Sequence, residues 1–270
     1  MMRPMVSVIL ATKNAEQSIE KALKSVKKQT HKNIELIIVD NHSTDKTLTI
    51  AKKFTKKVYT FGPERSSQRN FGARKSRGEY LMFLDADMYL SQKVIEKCVN
   101  LSTKSKIDGI YIPEIIDGKN YWSKVRNFER QFYNGTVIDA VRFVSIKIFD
   151  KTGGFDENLY AGEDWDLDRR VRKIGKTAII DRPLYHDENA FSLKKYFQKK
   201  NYYSLGIKKY ENKWSSDAEI QKQLGFWYRY FGVFIENGKW RRLIMHPFLT
   251  CGMMFLKIHL GFLYLLNKAK

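Results

Sequence analysis

The apolar positions in the first third of the chain fall into short β-branched runs separated by segments of helical period. Met5 to Leu10, Ile34 to Val39, Lys57 to Phe61 and Tyr80 to Leu84 read as strands, being short apolar runs bounded by turn formers. Between the first two, Ala15 to Gln29 places Ile19, Ala22, Leu23 and Val26 on one helical face, and Thr44 to Phe54 and Ser67 to Arg77 predict two further helices. Strand and helix in alternation predict an α/β fold, a doubly wound, open and mostly parallel sheet flanked by helices.

Beyond Leu90 the pattern loosens. It predicts a helix from Ser91 to Thr103, a short strand near Ile110 to Pro113, a helix from Tyr121 to Tyr133, and a strand over Val141 to Phe149. After the Gly153-Gly154 turn, Asp164 to Ile174 reads as a helix and Thr177 to Ile180 as a last buried strand. From Leu193 onward the chain is helical, basic and aromatic, so the expected division is a catalytic domain over 1–212 and a C-terminal helical region over 213–270. Neither an internal repeat nor a low-complexity linker is visible.

Composition narrows the class. A chain of 270 residues with 43% hydrophobic residues can bury a real core, which excludes a disordered protein. Cys98 and Cys251 are the only cysteines, so neither a disulfide framework nor a cysteine metal cluster is expected, and a reducing cytosol fits. The short apolar run Val6 to Ala11 is followed at once by Lys13 and reads as a strand rather than a signal peptide. A formal net charge of +20 calls for an anionic partner. Nucleic acid, anionic lipid and a phosphorylated substrate all satisfy it, and charge does not choose among them.

Chemistry gathers at strand ends. In open α/β sheets, ligands bind beyond the carboxyl ends of the strands. Three strands here run into polar clusters: Thr12-Lys13-Asn14, Asp40-Asn41-His42-Ser43 and Asp85-Ala86-Asp87. In an extended backbone, Asp85 and Asp87 point to one side. A hard cation such as Mg2+ or Mn2+ takes one or two carboxylates together with substrate phosphates. A pair of solvated loop aspartates is the plainer account of an isolated Asp-X-Asp. Glu163-Asp164-Trp165-Asp166 opens a helix, where acids complement the dipole, yet three acids in four residues exceed what a cap requires. One of them is a candidate general base for a hydroxyl. His186, in a loop after the last predicted strand, reads as a surface residue or as a further metal ligand beside Asp87.

At these residues the sequence resembles the family 2 glycosyltransferases, whose fold is the GT-A nucleotide-binding type. The resemblance covers roughly residues 5 to 210 and rests on four motifs in the family's order. These are Val6 to Asn14; Ile38 to Asp45; Arg69-Asn70-Phe71-Gly72-Ala73 leading through Gly78-Glu79-Tyr80 to Leu84-Asp85-Ala86-Asp87; and Gly162-Glu163-Asp164-Trp165-Asp166. The resemblance implies that Thr12, Asn14 and Asp40 hold the nucleotide, with Asp40 accepting from the base ring. It places Arg69 near the ribose or diphosphate, Asp85 and Asp87 at a Mn2+ or Mg2+ ion with Asp87 the closer ligand, and His186 as a further metal ligand. Asp164 aligns with the catalytic base, Glu163 with its neighbour, and Trp165 faces the acceptor. The implied reaction is a single inverting displacement on a nucleotide sugar, a UDP-sugar in the first instance.

Two departures refine the expectation. Gln198-Lys199-Lys200-Asn201-Tyr202 lacks the arginine and tryptophan of the processive members' motif, so one sugar is transferred per encounter. The Glu-Asp-Trp motif favours a hydroxyl acceptor over a bare polyprenyl or dolichyl phosphate, the alternative acceptor.

The stretch Leu243 to Leu266 is apolar and aromatic, interrupted by His246, Pro247, Lys257 and His259, with basic residues on either side. It reads as an interfacial helix in preference to a span, with a re-entrant hairpin at Pro247 a further option. The expected place is therefore the cytoplasmic face of a membrane, peripheral on anionic lipid, with a lipid-linked saccharide as acceptor. Two rivals remain. A sugar nucleotidyltransferase opens with a glycine-rich loop, which Thr12-Lys13-Asn14-Ala15 does not supply. A nucleic-acid-binding module would put phosphates against an acidic cleft, so no nucleic acid is expected as a partner.

Overall fold

The apolar run near the start of the chain becomes β1 (Val6–Thr12), every residue of which is buried. In this computed structural model residues 3–268 are described, with side chains as far as residue 262. After β1 come α1 (Ile19–Lys27), β2 (Ile34–Asp40), α2 (Thr47–Lys52), β3 (Val58–Thr60), α3 (Arg65–Arg74), β4 (Tyr80–Asp85), β5 (Met88–Leu90), α4 (Val94–Ser105) and β6 (Gly109–Tyr111). Then follow β7 (Glu114–Asp117), α5 (Tyr121–Arg130), β8 (Phe143–Ser145), α6 (Ile146–Thr152), α7 (Glu163–Ile174), β9 (Thr177–Ile179) and β10 (Leu184–Asp187). The last helices are α8 (Leu193–Lys213), α9 (Ala218–Leu224), α10 (Val233–Ile235), α11 (Trp240–Met245) and α12 (Pro247–Lys268).

The chain forms two compact units. One contains the residues up to Glu114 together with Ala140–Asp187; the other contains Ile115–Asp139 together with the residues from Glu188 onward. The boundary expected at residue 212 falls at the end of α8, inside the second unit.

In the first unit a seven-stranded sheet runs in the order β3-β2-β1-β4-β8-β6-β9. β3, β2, β1 and β4 are parallel neighbours, and β8 is antiparallel to both β4 and β6. Period-2 alternation gives the sheet two apolar faces. Val6, Val8 and Leu10 pack with Ile19, Leu23 and Val26 of α1 and with Val94 and Cys98 of α4. Ile9, Ile37, Val39 and Phe83 pack on the other side with Ala73 of α3, Ile148 of α6 and Leu167 of α7. Helices on both faces make the doubly wound arrangement that the alternation of strand and helix predicts. Gly72 is required where α3 crosses the sheet, since a Cβ there would lie 2.5 Å from Ile9 Cγ2.

Three local expectations change. The strand expected over Val141 to Phe149 ends at Ser145, whose side chain accepts from Ile148 N at 3.4 Å and starts α6. A serine that caps a helix overrides the β-branched pattern on either side of it. β9 lies at the sheet edge with Ile179 exposed, so it is not a buried strand. It is also not the last one, because β10 follows and pairs antiparallel with β5.

The second unit is helical. α12 packs on α5 and α8, and Gly252 sits tight against α5: a Cβ would lie 2.5 Å from Tyr121 Oη and 2.7 Å from Val125 Cγ2. Lys257, read from the sequence as a charge interrupting the apolar stretch, is buried. Its Nζ lies 3.4 Å from Glu129 Oε1 and donates to Tyr133 Oη at 3.2 Å. Burial lowers the lysine's pKa, and Glu129 opposes that shift. His259 is exposed, its ring 4.1 Å from that of Phe197 between centroids. Among the described residues no helix is long and apolar enough to cross a membrane. The side chains of Leu263 to Leu266, and the basic residues Lys268 and Lys270 behind them, lie outside the described side chains.

Candidate active site

The parallel strands β1, β2 and β4 end in register, with Thr12 opposite Asp40 and Ala11 opposite Asp85. The three polar clusters found in the sequence are therefore neighbours at one sheet end. All the residues that follow belong to the first unit.

On the β1–β2 side, Asp40 is fully buried and accepts from Thr12 Oγ1 at 2.7 Å, Ser43 Oγ at 2.6 Å and Ser43 N at 2.7 Å. Three accepted bonds leave its carboxylate one further lone-pair position. Asn14 adopts a left-handed backbone with φ 46°, as does His42 with φ 51°, so both loops turn sharply after their strands. Asn14 Oδ1 accepts from Thr44 N at 2.9 Å, and Asn14 N donates to Ser43 Oγ at 2.7 Å, stitching one loop to the other. Gln68 of α3 closes the pair from behind, donating to Thr12 O at 3.0 Å and Val39 O at 2.7 Å.

On the β4 side the organising group is Arg69, which is buried. Its Nη1 donates to Asp164 Oδ1 and its Nη2 to Asp85 Oδ1, both at 2.7 Å. Glu163 Oε1 lies 3.8 Å from Nη1 and pairs with Arg65 at 2.9 Å. Arg69 was expected near the donor; here its two terminal nitrogens go to carboxylates, joining the Asp85 cluster to the acidic start of α7. Burial alone would raise the carboxyl of Asp85, but Arg69, Arg65 and Arg142 overcome it and hold the group well below the usual carboxylate range. Glu163 shifts the other way, raised by burial and by Asp164.

The acids at the start of α7 divide their work. Asp166 is buried and ion-paired with Arg170, whose Nη1 also donates to Thr152 O and Gly154 O at 2.6 Å. That anchors α7 to the Gly153-Gly154 turn. Glu163 is buried against Arg65, and Trp165 is half-buried. Asp164 keeps its side chain 35% exposed.

Asp85 and Asp87 face different partners. The chain turns at Ala86, so the extended geometry that would aim both carboxylates to one side is absent. Asp85 faces Arg69, while Asp87 Oδ2 lies 3.0 Å from His186 Nε2. His186 is not in a loop: it sits on β10 opposite Met88, and that pairing brings it to Asp87. Its Nδ1 lies 3.1 Å from Glu114 Oε1. Burial works against a charge on His186, yet Asp87 and Glu114 push its pKa up to about 10, so the ring is a cation held between two carboxylates. Arg142 completes the chain of charges, donating to Glu114 Oε2 at 3.3 Å and lying 3.9 Å from Asp85 Oδ2.

Among the described residues no group of three or more histidine, cysteine, aspartate or glutamate side chains is arranged to hold a metal ion. The donor chemistry at Asp87 nevertheless suits a cation that takes few protein ligands and completes its shell with phosphate oxygens and water. Asp87 is the more exposed of the two aspartates, and the imidazolium beside it already occupies a place for positive charge.

Arg65, Arg142 and Glu114 were not singled out from sequence. Arg142 lies in a run read from the sequence as strand, and Glu114 follows Pro113 where the sequence predicts no element, so neither stands in a local pattern that marks a site.

Comparison with known proteins bears on this geometry. Residues 7–155 match the family model described as Glycosyl transferase family 2. An uncharacterized glycosyltransferase of Rickettsia typhi is 31% identical over 186 residues, 61% of this chain and 57% of its own length. The poly(ribitol-phosphate) β-N-acetylglucosaminyltransferase TarP of Staphylococcus aureus is 28% identical over 233 residues, 82% of this chain and 67% of its own. Among solved structures, the mannosyltransferase PcManGT of Pyrobaculum calidifontis, in complex with GDP-Man and Mn2+, superposes with a TM-score of 0.64 at 15% identity, covering 100% of this chain and 81% of its own. Residues 1–349 of S. aureus TarS with UDP-GlcNAc give a TM-score of 0.56 at 20% identity, covering 75% of this chain and 66% of that one. The fold is thus of the GT-A type. The chain spans 57% of the Rickettsia relative and 44% of an uncharacterized glycosyltransferase of Haemophilus influenzae.

Proposed function

The chain belongs to glycosyl transferase family 2, and on that premise we propose that it moves one sugar from a nucleotide diphosphate sugar to a hydroxyl of a saccharide acceptor carried on lipid. A UDP-sugar is the donor considered first, in line with the UDP-GlcNAc complex of TarS. TarP, the minor teichoic acid biosynthesis protein GgaB and chondroitin synthase all carry names from glycan and polyol-phosphate polymer assembly, which supports an acceptor of that class.

The observation that carries the reading is the state of Asp164. Of the acids that open α7, Glu163 and Asp166 are buried in ion pairs, whereas Asp164 is fixed by one hydrogen bond from Arg69 and stays open on its other side. A carboxylate held in one orientation with a free lone pair is suited to take a proton. In the reaction, the acceptor O–H proton passes to Asp164 as the acceptor oxygen bonds to the anomeric carbon. The bond from that carbon to the diphosphate oxygen breaks, and its electron pair leaves with the nucleoside diphosphate. One displacement inverts the centre.

Thr12, Asn14 and Asp40 line the nucleotide side, their loops held by Gln68 and Ser43. Asp85 lies between donor and base, tied to Asp164 through Arg69. Asp87, with Asp85 close behind, would hold Mn2+ or Mg2+, and His186 would join it only as the neutral imidazole, after giving up the proton that its two carboxylate neighbours favour; the ion's contribution there would be to neutralise charge on the diphosphate. Trp165, in the first turn of α7 beside the base, is assigned to the acceptor.

Thermal-shift screening of nucleotide sugars, with and without Mn2+, tests the donor side, because a ligand that binds the folded state raises its melting temperature. One donor class is expected to stabilise the protein, and more strongly with the metal. If no nucleotide sugar shifts the transition under either condition, the proposal fails.

A further inference from the structure

The second unit carries an apolar surface that sugar transfer does not use. Along α12, Phe248, Cys251, Phe255, Ile258 and Phe262 recur at spacings of three and four, which places them on one helical face. That face is bare: Phe248 is 82% exposed, Phe255 52%, Ile258 66% and Phe262 64%. The opposite face, with Gly252, Met253, Leu256 and Lys257, is buried in the unit. α11 extends the apolar surface with Ile244 and Met245, both exposed, and its first residue Trp240 is exposed beneath the Arg241 guanidinium, 5.7 Å from the ring centroid.

The charges around the stripe identify its occupant. A second helix docked on a 3-4 repeat is ordinarily fixed by charged residues flanking the seam. The residues flanking this one are Pro247, Met254, His259 and Gly261. No aspartate or glutamate follows Glu236 anywhere in the sequence, while Lys239, Arg241 and Arg242 precede the stripe. Beside its start, a pocket of about 300 Å3 is lined by Lys124, Arg242 and His246 together with Asn127, Gln131 and Leu249. An apolar helix face with a tryptophan at its edge, basic residues before it and no acid along its own sequence is complementary to an anionic bilayer surface.

We propose that the exposed stripe of α12, with Ile244 and Met245 of α11, lies in the interface of an anionic lipid bilayer, parallel to its plane, with phosphate headgroups over Lys124, Arg241 and Arg242. Lys257 takes no part in the lipid contact; it is the buried charge that holds the other face of α12 to Glu129. This goes beyond the sugar-transfer reading and does not depend on it.

The chain carries its own reporter. Cys98 is fully buried and Cys251 lies exposed in the stripe, so an environment-sensitive thiol fluorophore on the native full-length chain labels Cys251. With vesicles of phosphatidylcholine and phosphatidylglycerol, its emission shifts to the blue and is quenched by lipids spin-labelled on the acyl chain. With phosphatidylcholine alone the apparent affinity is about tenfold weaker or less. Substituting Phe255→Asp and Ile258→Asp, both outside the sugar-transfer site, abolishes co-sedimentation with the anionic vesicles and leaves transfer to a soluble acceptor unchanged. An unshifted emission with anionic vesicles, equal binding to neutral and anionic vesicles, or a concentration-dependent blue shift without lipid that marks a second copy of the chain as occupant, each overturns the proposal.

Discussion

Asp164 receives a 2.7 Å hydrogen bond from Nη1 of Arg69, and that same buried guanidinium donates to Asp85 from its other terminal nitrogen. The acid assigned to proton transfer and the acid at the end of β4 are thus set by one side chain from α3. Any change at Arg69 is felt at both.

Arg69→Met is expected to leave Asp85, Asp164 and Glu163 without their shared cation, at a cost of about 3–5 kcal/mol in stability. Urea unfolding of the variant against the parent checks this. Arg69→Lys retains a charge but not the two-pronged geometry. It is expected to lose less stability and proportionally more turnover, a split that a comparison of unfolding and kcat resolves.

His186 gives a pH dependence with a definite sign. Its folded pKa of about 10 lies above the ordinary 6.5 because Asp87 and Glu114 outweigh burial. Its contribution is therefore fully present below pH 6.5 and is lost as the pH rises toward 10. The stability deficit of His186→Asn relative to the parent is expected to be largest below pH 6.5 and to shrink steadily as the pH rises from there toward 10. A deficit that is flat over that range contradicts the arrangement.

A third expectation concerns the second unit. Lys257 and Glu129 form a buried pair with Tyr133. Lys257→Met takes the cation from Glu129 and leaves that carboxylate only the Tyr133 hydroxyl, at a cost of up to about 3–5 kcal/mol, whereas Lys257→Met with Glu129→Leu removes both charges and restores most of the loss. A double-mutant cycle in denaturant measures the coupling.

These expectations draw unequally on the sequence. Thr12, Asp40 and Asp85 were legible because each ends a buried apolar run, and parallel strands in register bring such ends together. The doubly wound sheet was legible for the same reason. Residue pattern alone left Asp164 as one of three acids, and only the family resemblance singled it out; which of them stays open to solvent depends on Arg65 and Arg170, and nothing in local spacing marks those pairings. Arg142 and Glu114 reach the site from just before β8 and from the first position of β7, distant in sequence from the groups they meet. The reversal at Ser145 is a capping event within an apparently continuous strand pattern. It decides where β8 ends, and a single hydroxyl outweighs the hydrophobic period around it. Lys257 was visible as a charge in an apolar stretch, but its partner Glu129 lies on another helix.

The central claim is that Asp164 takes the acceptor's proton during sugar transfer. The direct measurement is single-turnover transfer from the donor identified by thermal shift, parent against Asp164→Asn, with donor binding followed by the same shift. The account predicts unchanged donor binding and a transfer rate reduced by about 10²–10⁴. Transfer by Asp164→Asn at the parental rate contradicts it.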